Sequence, residues 1–230
     1  ITVNACWTTL GAGILGSAGA VTNYRDFPGA PESGTWYPVA LANAFAGIDI
    51  NGADAEIRTN YNNTFTNWYF GTDGNPAAGE FDFVTIVLHE VGHGLGFAGF
   101  MQWSGGVGLW GLSSGFPASF DRFTENGLNQ AMIDPTIFPN PSTALGSQLT
   151  GGDLFFDGPN VIAAFDGPAP LYAPATWNGG SSYSHFDESF NGTPNALMTF
   201  SIGTSEVLHS PGPVGDRKST RLNSSHDQIS

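Results

Sequence analysis

Lysine is almost missing from this 230-residue chain: the one copy is Lys218, and arginine adds only five more cations against 20 acidic side chains. A surface with so little positive charge repels phosphate backbones and anionic headgroups, which excludes nucleic-acid binding and electrostatic attachment to membranes. Cysteine is represented by Cys6 alone, so no disulfide can form within the chain, and nothing around it suggests an inhibitory thiolate. A long uninterrupted apolar run is also absent, because the stretch around residues 83–100 carries His89, Glu90 and His93; no transmembrane span is expected. Ile1 to Val21 is small and apolar but lacks a basic leader, so it reads as mature domain sequence, not a signal peptide.

The scarce cations are unevenly placed. Arg217, Lys218 and Arg221 all fall in Asp216–Ser230, DRKSTRLNSSHDQIS, a segment that resembles a translated sequencing adapter and is set aside as a non-native tail. Removing it leaves 18 acidic side chains against Arg25, Arg58 and Arg122, a formal charge of −15. Residues 1–215 suit one domain with its own core, expected to be cut from a longer protein at both ends. The acidic, Gly/Asn/Ser/Thr-rich composition suggests a secreted bacterial protein.

Within this background His89-Glu90-Val91-Gly92-His93 stands out. On a helix, residues four apart share a face, so both imidazoles can reach one metal ion while Glu90 acts on a water that the ion holds. Val84, Val87, Leu88 and Val91 fall at helical spacing, predicting a buried apolar stripe, and Gly94 and Gly96 predict the helix end. A catalytic zinc site needs three protein ligands and an open position. The short metzincin motif has its third histidine six residues after the second, and that position here is Gly99. With His226 in the tail, a third histidine must be His185 or His209; Asp187 is an alternative ligand, or an acceptor that orients an imidazole from behind.

Flanking runs predict a helix from Trp36-Tyr37-Pro38 to Ala46 and a short strand at Ala55–Thr59. Residues 101–182, rich in Gly, Pro, Ser and Asn, read as an insertion of loops and short strands, with apolar runs at Val161–Phe165 and Leu171-Tyr172. It separates an N-terminal lobe (1–100) from the segment 183–215. Tyr183 is a candidate oxyanion donor or a core tyrosine. Asp73 and Asn75 lie in a polar turn that could hold calcium or simply be a turn.

HEVGHGLGF at His89–Phe97, followed by SYSHFDE around His185 and NALMT around Met198, resembles the leishmanolysin-type metzincins, whose motif runs HExxHxLGF. It is also similar to bacterial secreted HEVGHGLGF proteins, over most of residues 1–215; the likeness to leishmanolysins covers only the two motif regions. In that family a long insertion delays the third zinc histidine, and a methionine turn follows closely. Here His185 comes 92 residues after His93, and Met198 follows 13 residues later. The resemblance implies His89, His93 and His185 as Zn²⁺ ligands, Glu90 as the general base and Met198 as the apolar floor of the Met-turn. It implies an α+β, two-lobed zincin with a twisted sheet, an active-site helix and an irregular C-terminal lobe whose closing helix would lie beyond residue 215. The implied activity is a zinc endopeptidase acting on protein or peptide substrates. Another zinc amide or ester hydrolase, or an inactive adhesion module, remain the alternatives; intact Glu90 speaks against the last.

Overall fold

The computed structural model describes residues 1–112 and 114–215; the tail at 216–230, including His226, lies outside the described residues. In chain order the N-terminal part runs β1 (Val3–Thr8), β2 (Gly16–Ala20), β3 (Asn23–Arg25), β4 (Trp36–Pro38), α1 (Val39–Ala46), β5 (Ile57–Asn62), β6 (Trp68–Tyr69), β7 (Phe81–Asp82) and α2 (Phe83–Gly94). There follow β8 (Gln102–Ser104), β9 (Val107–Leu109), β10 (Thr124–Glu125), α3 (Thr143–Leu149), β11 (Phe155–Phe156), α4 (Pro159–Phe165) and β12 (Ala169–Pro170). The fold is therefore mixed α+β, with small sheets and few helices. No helix among the described residues is long and apolar enough to cross a membrane.

The principal sheet has the order β1-β5-β2, with β1 parallel and β2 antiparallel to the central strand. β5 reads Ile-Arg-Thr-Asn-Tyr-Asn, and its period-two alternation buries Ile57, Thr59 and Tyr61. Helix α2 lies across β2 and β5. A methyl at Gly94 would lie 2.3 Å from Ile57 Cγ2, so the absence of a side chain there is what lets helix and sheet approach this closely.

Both ends of α2 are specified locally. Asp82 caps the start, its Oδ2 accepting from Thr85 N at 2.8 Å and Thr85 Oγ1 at 2.6 Å. At the other end Phe97 N donates to Gly92 O and Gly96 N to His93 O, with Gly96 at φ 121°, a Schellman-type stop. The expected glycine-terminated helix is found. The expected burial is not: Val84, Val87, Leu88 and Val91 are only half-buried, whereas Thr85, Ile86, His89, Glu90 and Gly94 are buried. The helix is covered on two sides, so its deepest face is set by the sheet and the C-terminal segment together. Ile86 joins a cluster with Tyr61 and Trp68, while Leu88 packs against the larger core.

Three further expectations need correction. The helix predicted from Trp36 begins at Val39, because Trp36–Pro38 pairs antiparallel with Asn23–Arg25 and the residue before a proline favours extended backbone. The strand predicted at Ala55–Thr59 occupies Ile57–Asn62. Residues 101–182 are more than loops and short strands: they include α3 and α4, and Val161–Phe165 lies in α4, opened by Pro159 in its first turn. Leu145, Leu149, Leu154, Phe156 and Val161 from this stretch are buried in the larger core beside Phe97, Phe186 and Met198. Apolar runs too short to show a period become helix because tertiary packing offers them a partner.

Candidate metal centre

Helix α2 presents His89 and His93 one turn apart, and the chain brings His185 against them from 92 positions later. The three Nε2 atoms are mutual neighbours: 3.1 Å from His89 to His93, 3.1 Å from His93 to His185 and 3.3 Å from His185 to His89. Behind each ring, Nδ1 meets a backbone carbonyl: Leu197 O at 2.7 Å for His89, Phe97 O at 2.7 Å for His93 and Ser181 O at 2.8 Å for His185. A carbonyl can only accept, so each Nδ1 carries the proton and each neutral Nε2 turns a lone pair toward the other two.

Three acceptors facing one another without a donor between them form a group that could hold a cation. Tetrahedral zinc with Zn–N of about 2.0–2.1 Å requires nitrogens about 3.3 Å apart, close to the spacing found. The donor set therefore fits a metal ion, and these are the one group of three or more His, Cys, Asp or Glu side chains among the described residues whose ligand atoms converge this way. Protonation opposes the same arrangement. Burial, then the neighbouring His93, pushes His89 down to about 3. Burial lowers His93, and burial followed by His93 and His89 holds His185 well below its usual range. The rings are kept neutral, the form that binds metal.

Glu90, buried on the same helix, points toward β2: a methyl at Gly16 would stand 2.4 Å from its Oε1. Removal from water pushes its carboxyl up to about 8. Met198 ends a 3₁₀ turn, Ala196–Met198, packed against α2. Its Sδ would be 2.7 Å from a methyl at Gly92, the residue between the two helix histidines. The same turn supplies Leu197 O to His89, and Phe186 N donates to Met198 O at 2.9 Å, tying the His185 segment to the methionine turn.

The other sequence candidates fall elsewhere. Asp187 is not in the histidine group; its Oδ1 accepts from Ser189 N at 2.9 Å to start a 3₁₀ turn, and the acceptors behind the imidazoles are carbonyls instead. His209 bonds Asp82 Oδ2 at 2.8 Å, at the far end of α2 from His93, which agrees with a structural role. Tyr183 is buried with its hydroxyl on Asp121 Oδ1 at 2.8 Å and is not presented as an oxyanion donor. Asp73 takes the Tyr69 hydroxyl and Asn75 Nδ2 donates to Asp73 O, so the turn considered for calcium is closed by its own hydrogen bonds. Cys6 is exposed on the edge strand β1. The three backbone acceptors and Asp121 escaped sequence reading, because carbonyls leave no trace in residue identity and the partners of Asp121 are remote in sequence.

A family model described as SPBPB7E8-like matches residues 6–141, a span that includes the motif helix but ends before His185 and Met198. No curated protein and no solved structure matches the chain. With more than half of its length matched, the chain belongs to the SPBPB7E8-like family.

Proposed function

We propose that this protein is a secreted zinc-dependent endopeptidase of metzincin type, built as a two-lobed zincin with its cleft between the sheet side and the His185–Met198 segment. The observation that carries the reading is the convergence of three neutral Nε2 lone pairs, with a buried carboxyl on the helix residue next to His89. His89, His93 and His185 would hold the ion, and three imidazoles suit zinc better than the hard, oxygen-preferring calcium or magnesium. When bound, zinc supplies a Lewis acid that polarises a carbonyl and acidifies a water.

The rest is done by the chain's own groups. The carbonyls of Leu197, Phe97 and Ser181 hold each imidazole in the Nδ1–H tautomer and fix its orientation. Burial raises Glu90 toward neutrality, where a carboxylate is an effective acceptor and its acid form an effective donor. Glu90 would take a proton from the attacking water and pass it to the leaving amine. Met198, buried against Gly92, gives the helix an apolar support between its two histidines and would form the floor of the site.

The test is zinc stoichiometry by elemental analysis in the parent, His185→Ala and Glu90→Gln, alongside hydrolysis of a broad peptide library and an ester and amide panel. One zinc in the parent, loss in His185→Ala, and retained zinc with lost peptide cleavage in Glu90→Gln are expected. Full zinc in His185→Ala would remove His185 from the site. Peptidase activity surviving in Glu90→Gln would remove Glu90 as the base, and zinc-dependent cleavage of esters or small amides alone would replace the endopeptidase reading.

A further inference from the structure

Gly99 occupies the place where a short metzincin motif would carry its third histidine, and no side chain fits there. A methyl on Gly99 would be 2.1 Å from Tyr183 Cε1 and 2.4 Å from Asp121 Oδ1. The space beside it is filled by a buried pair: Tyr183 donates to Asp121 Oδ1 at 2.8 Å, and Asp121 is fully buried. The carboxylate also accepts from Phe100 N, at 2.9 Å to Oδ1, and from Ala118 N, at 2.8 Å to Oδ2. Asp121 thus joins three segments: the exit of the motif helix, the 118–124 turn and the bend leading into His185. A fourth bond runs alongside, Gly99 N to Ser184 Oγ at 3.3 Å.

Tyr183 has φ 74°, a left-handed conformation that a bulky residue adopts only when its surroundings hold it there. Two residues on, the backbone delivers His185 to the other two histidines, and Tyr172 pairs with both neighbours: Tyr183 N to Tyr172 O at 2.7 Å and Tyr172 N to His185 O at 2.9 Å. The turn at Tyr183 therefore sets where His185 arrives. In a chain whose third ligand is remote in sequence, something must replace the rigidity of an adjacent helix end.

We propose that Asp121 and Tyr183 are a positioning pair for His185: the buried Tyr183–Asp121 bond locks the left-handed turn and anchors it to the exit of α2, so that the remote histidine meets the other two. The inference rests on the metal-binding reading of the three histidines. Neither residue would touch metal or substrate; both act through His185.

The experiment measures zinc affinity and dissociation by chelator competition, with Co²⁺ visible absorption as the readout of ligand geometry, on the full chain. Parent, Tyr183→Phe and Thr124→Val are compared at a temperature where circular dichroism shows each folded. Tyr183→Phe keeps the ring and loses the hydroxyl's two contacts, to Asp121 Oδ1 and to Thr124 Oγ1; zinc should bind about tenfold more weakly, at the lower end of what loss of an orienting partner costs, and the Co²⁺ bands should shift. Thr124→Val removes the other hydroxyl at this contact, 3.0 Å from Tyr183 Oη and 2.7 Å from Asp121 O, but leaves the bond from Tyr183 to Asp121 Oδ1; its affinity should stay within about threefold. Equal affinity and an unchanged spectrum in Tyr183→Phe overturn the pair. So does an equal loss in Thr124→Val, which would mean that any lost hydroxyl there suffices. Should Tyr183→Phe not fold, Asp121→Asn, which offers one acceptor oxygen where two are used, carries the same expectation and the same refutation. If the parent binds neither Zn²⁺ nor Co²⁺, the metal reading itself fails and the pair falls with it; metal bound normally by parent and variants alike fails only the pair.

Discussion

Replacing Gly94 by alanine sets two effects of opposite sign against each other inside the helix that carries the candidate ligands. Helix propensity alone favours the substitution by about 1 kcal/mol, since glycine is the poorer helix former. Packing opposes it. The new methyl would lie 2.3, 2.9 and 3.0 Å from Cγ2, Cγ1 and Cδ1 of Ile57, against an ordinary carbon–carbon contact of about 3.5–4.0 Å. Ile57 is fully buried on the central strand, and a β-branched side chain has little freedom at χ1 to move Cγ2 aside. Helix and sheet must separate, and overpacking of that kind costs about 1–3 kcal/mol. With three contacts too close at once, the upper part of that range applies, and the net loss should be about 1–2 kcal/mol after the propensity gain. For a domain of this size that corresponds to a melting point lower by about 2–8 °C. Urea unfolding of the metal-free protein, compared at unchanged m value, measures it. The decisive control is the Ile57→Ala background, where the cavity accepts the new methyl and Gly94→Ala should become stabilising. A Gly94→Ala single variant more stable than the parent would refute the close packing of α2 on β5.

The remaining predictions concern the site. In the metal-free protein the histidines titrate below their ordinary 6.5, so their contribution is complete above that pH and is lost as pH falls toward about 3 for His89. Glu90 has the opposite sign: its contribution is complete below 4.5 and is lost as pH rises through about 8. Glu90→Gln should therefore raise the melting point of the chelator-treated protein little at pH 5 and clearly at pH 8.5; a gain independent of pH would contradict a buried, titrating Glu90. Gly92→Ala would crowd Met198 Sδ at 2.7 Å and Cε at 3.1 Å. The flexible thioether can yield, so stability should fall by less than about 1.5 kcal/mol, but the turn holding His89 through Leu197 O should shift. Zinc should then dissociate about tenfold faster in chelator competition; an unchanged rate would separate the methionine turn from metal retention. His209→Ala removes a partner of Asp82 but leaves Thr85 N on the cap, so stability should drop by about 1 kcal/mol with zinc content unchanged. Zinc lost from that variant would reopen the assignment of the third ligand.

What could be read from the chain was local. Spacing four on a helix places His89 and His93 on one face, and Gly94 with Gly96 encodes the stop, because these depend on residues close in sequence. The scarcity of cations was equally visible, and so was a short strand near Thr59, though its bounds came out as Ile57–Asn62. Other features were decided only when the chain closed on itself. α4 formed from an apolar run too short to show its period, and α2 buried Ile86 and Glu90 more deeply than the valine stripe because it is covered from two sides. Family resemblance, not spacing, singled out His185 over His209; the fold brings it to the other two through bonds at Gly99, Phe100, Asp121 and Tyr183 that join positions 21 to 85 residues apart. Contacts at that separation follow from how packed segments share space, which no periodicity along the chain records. The histidine pair was thus determined by the sequence itself, and the convergence of the third by tertiary packing alone.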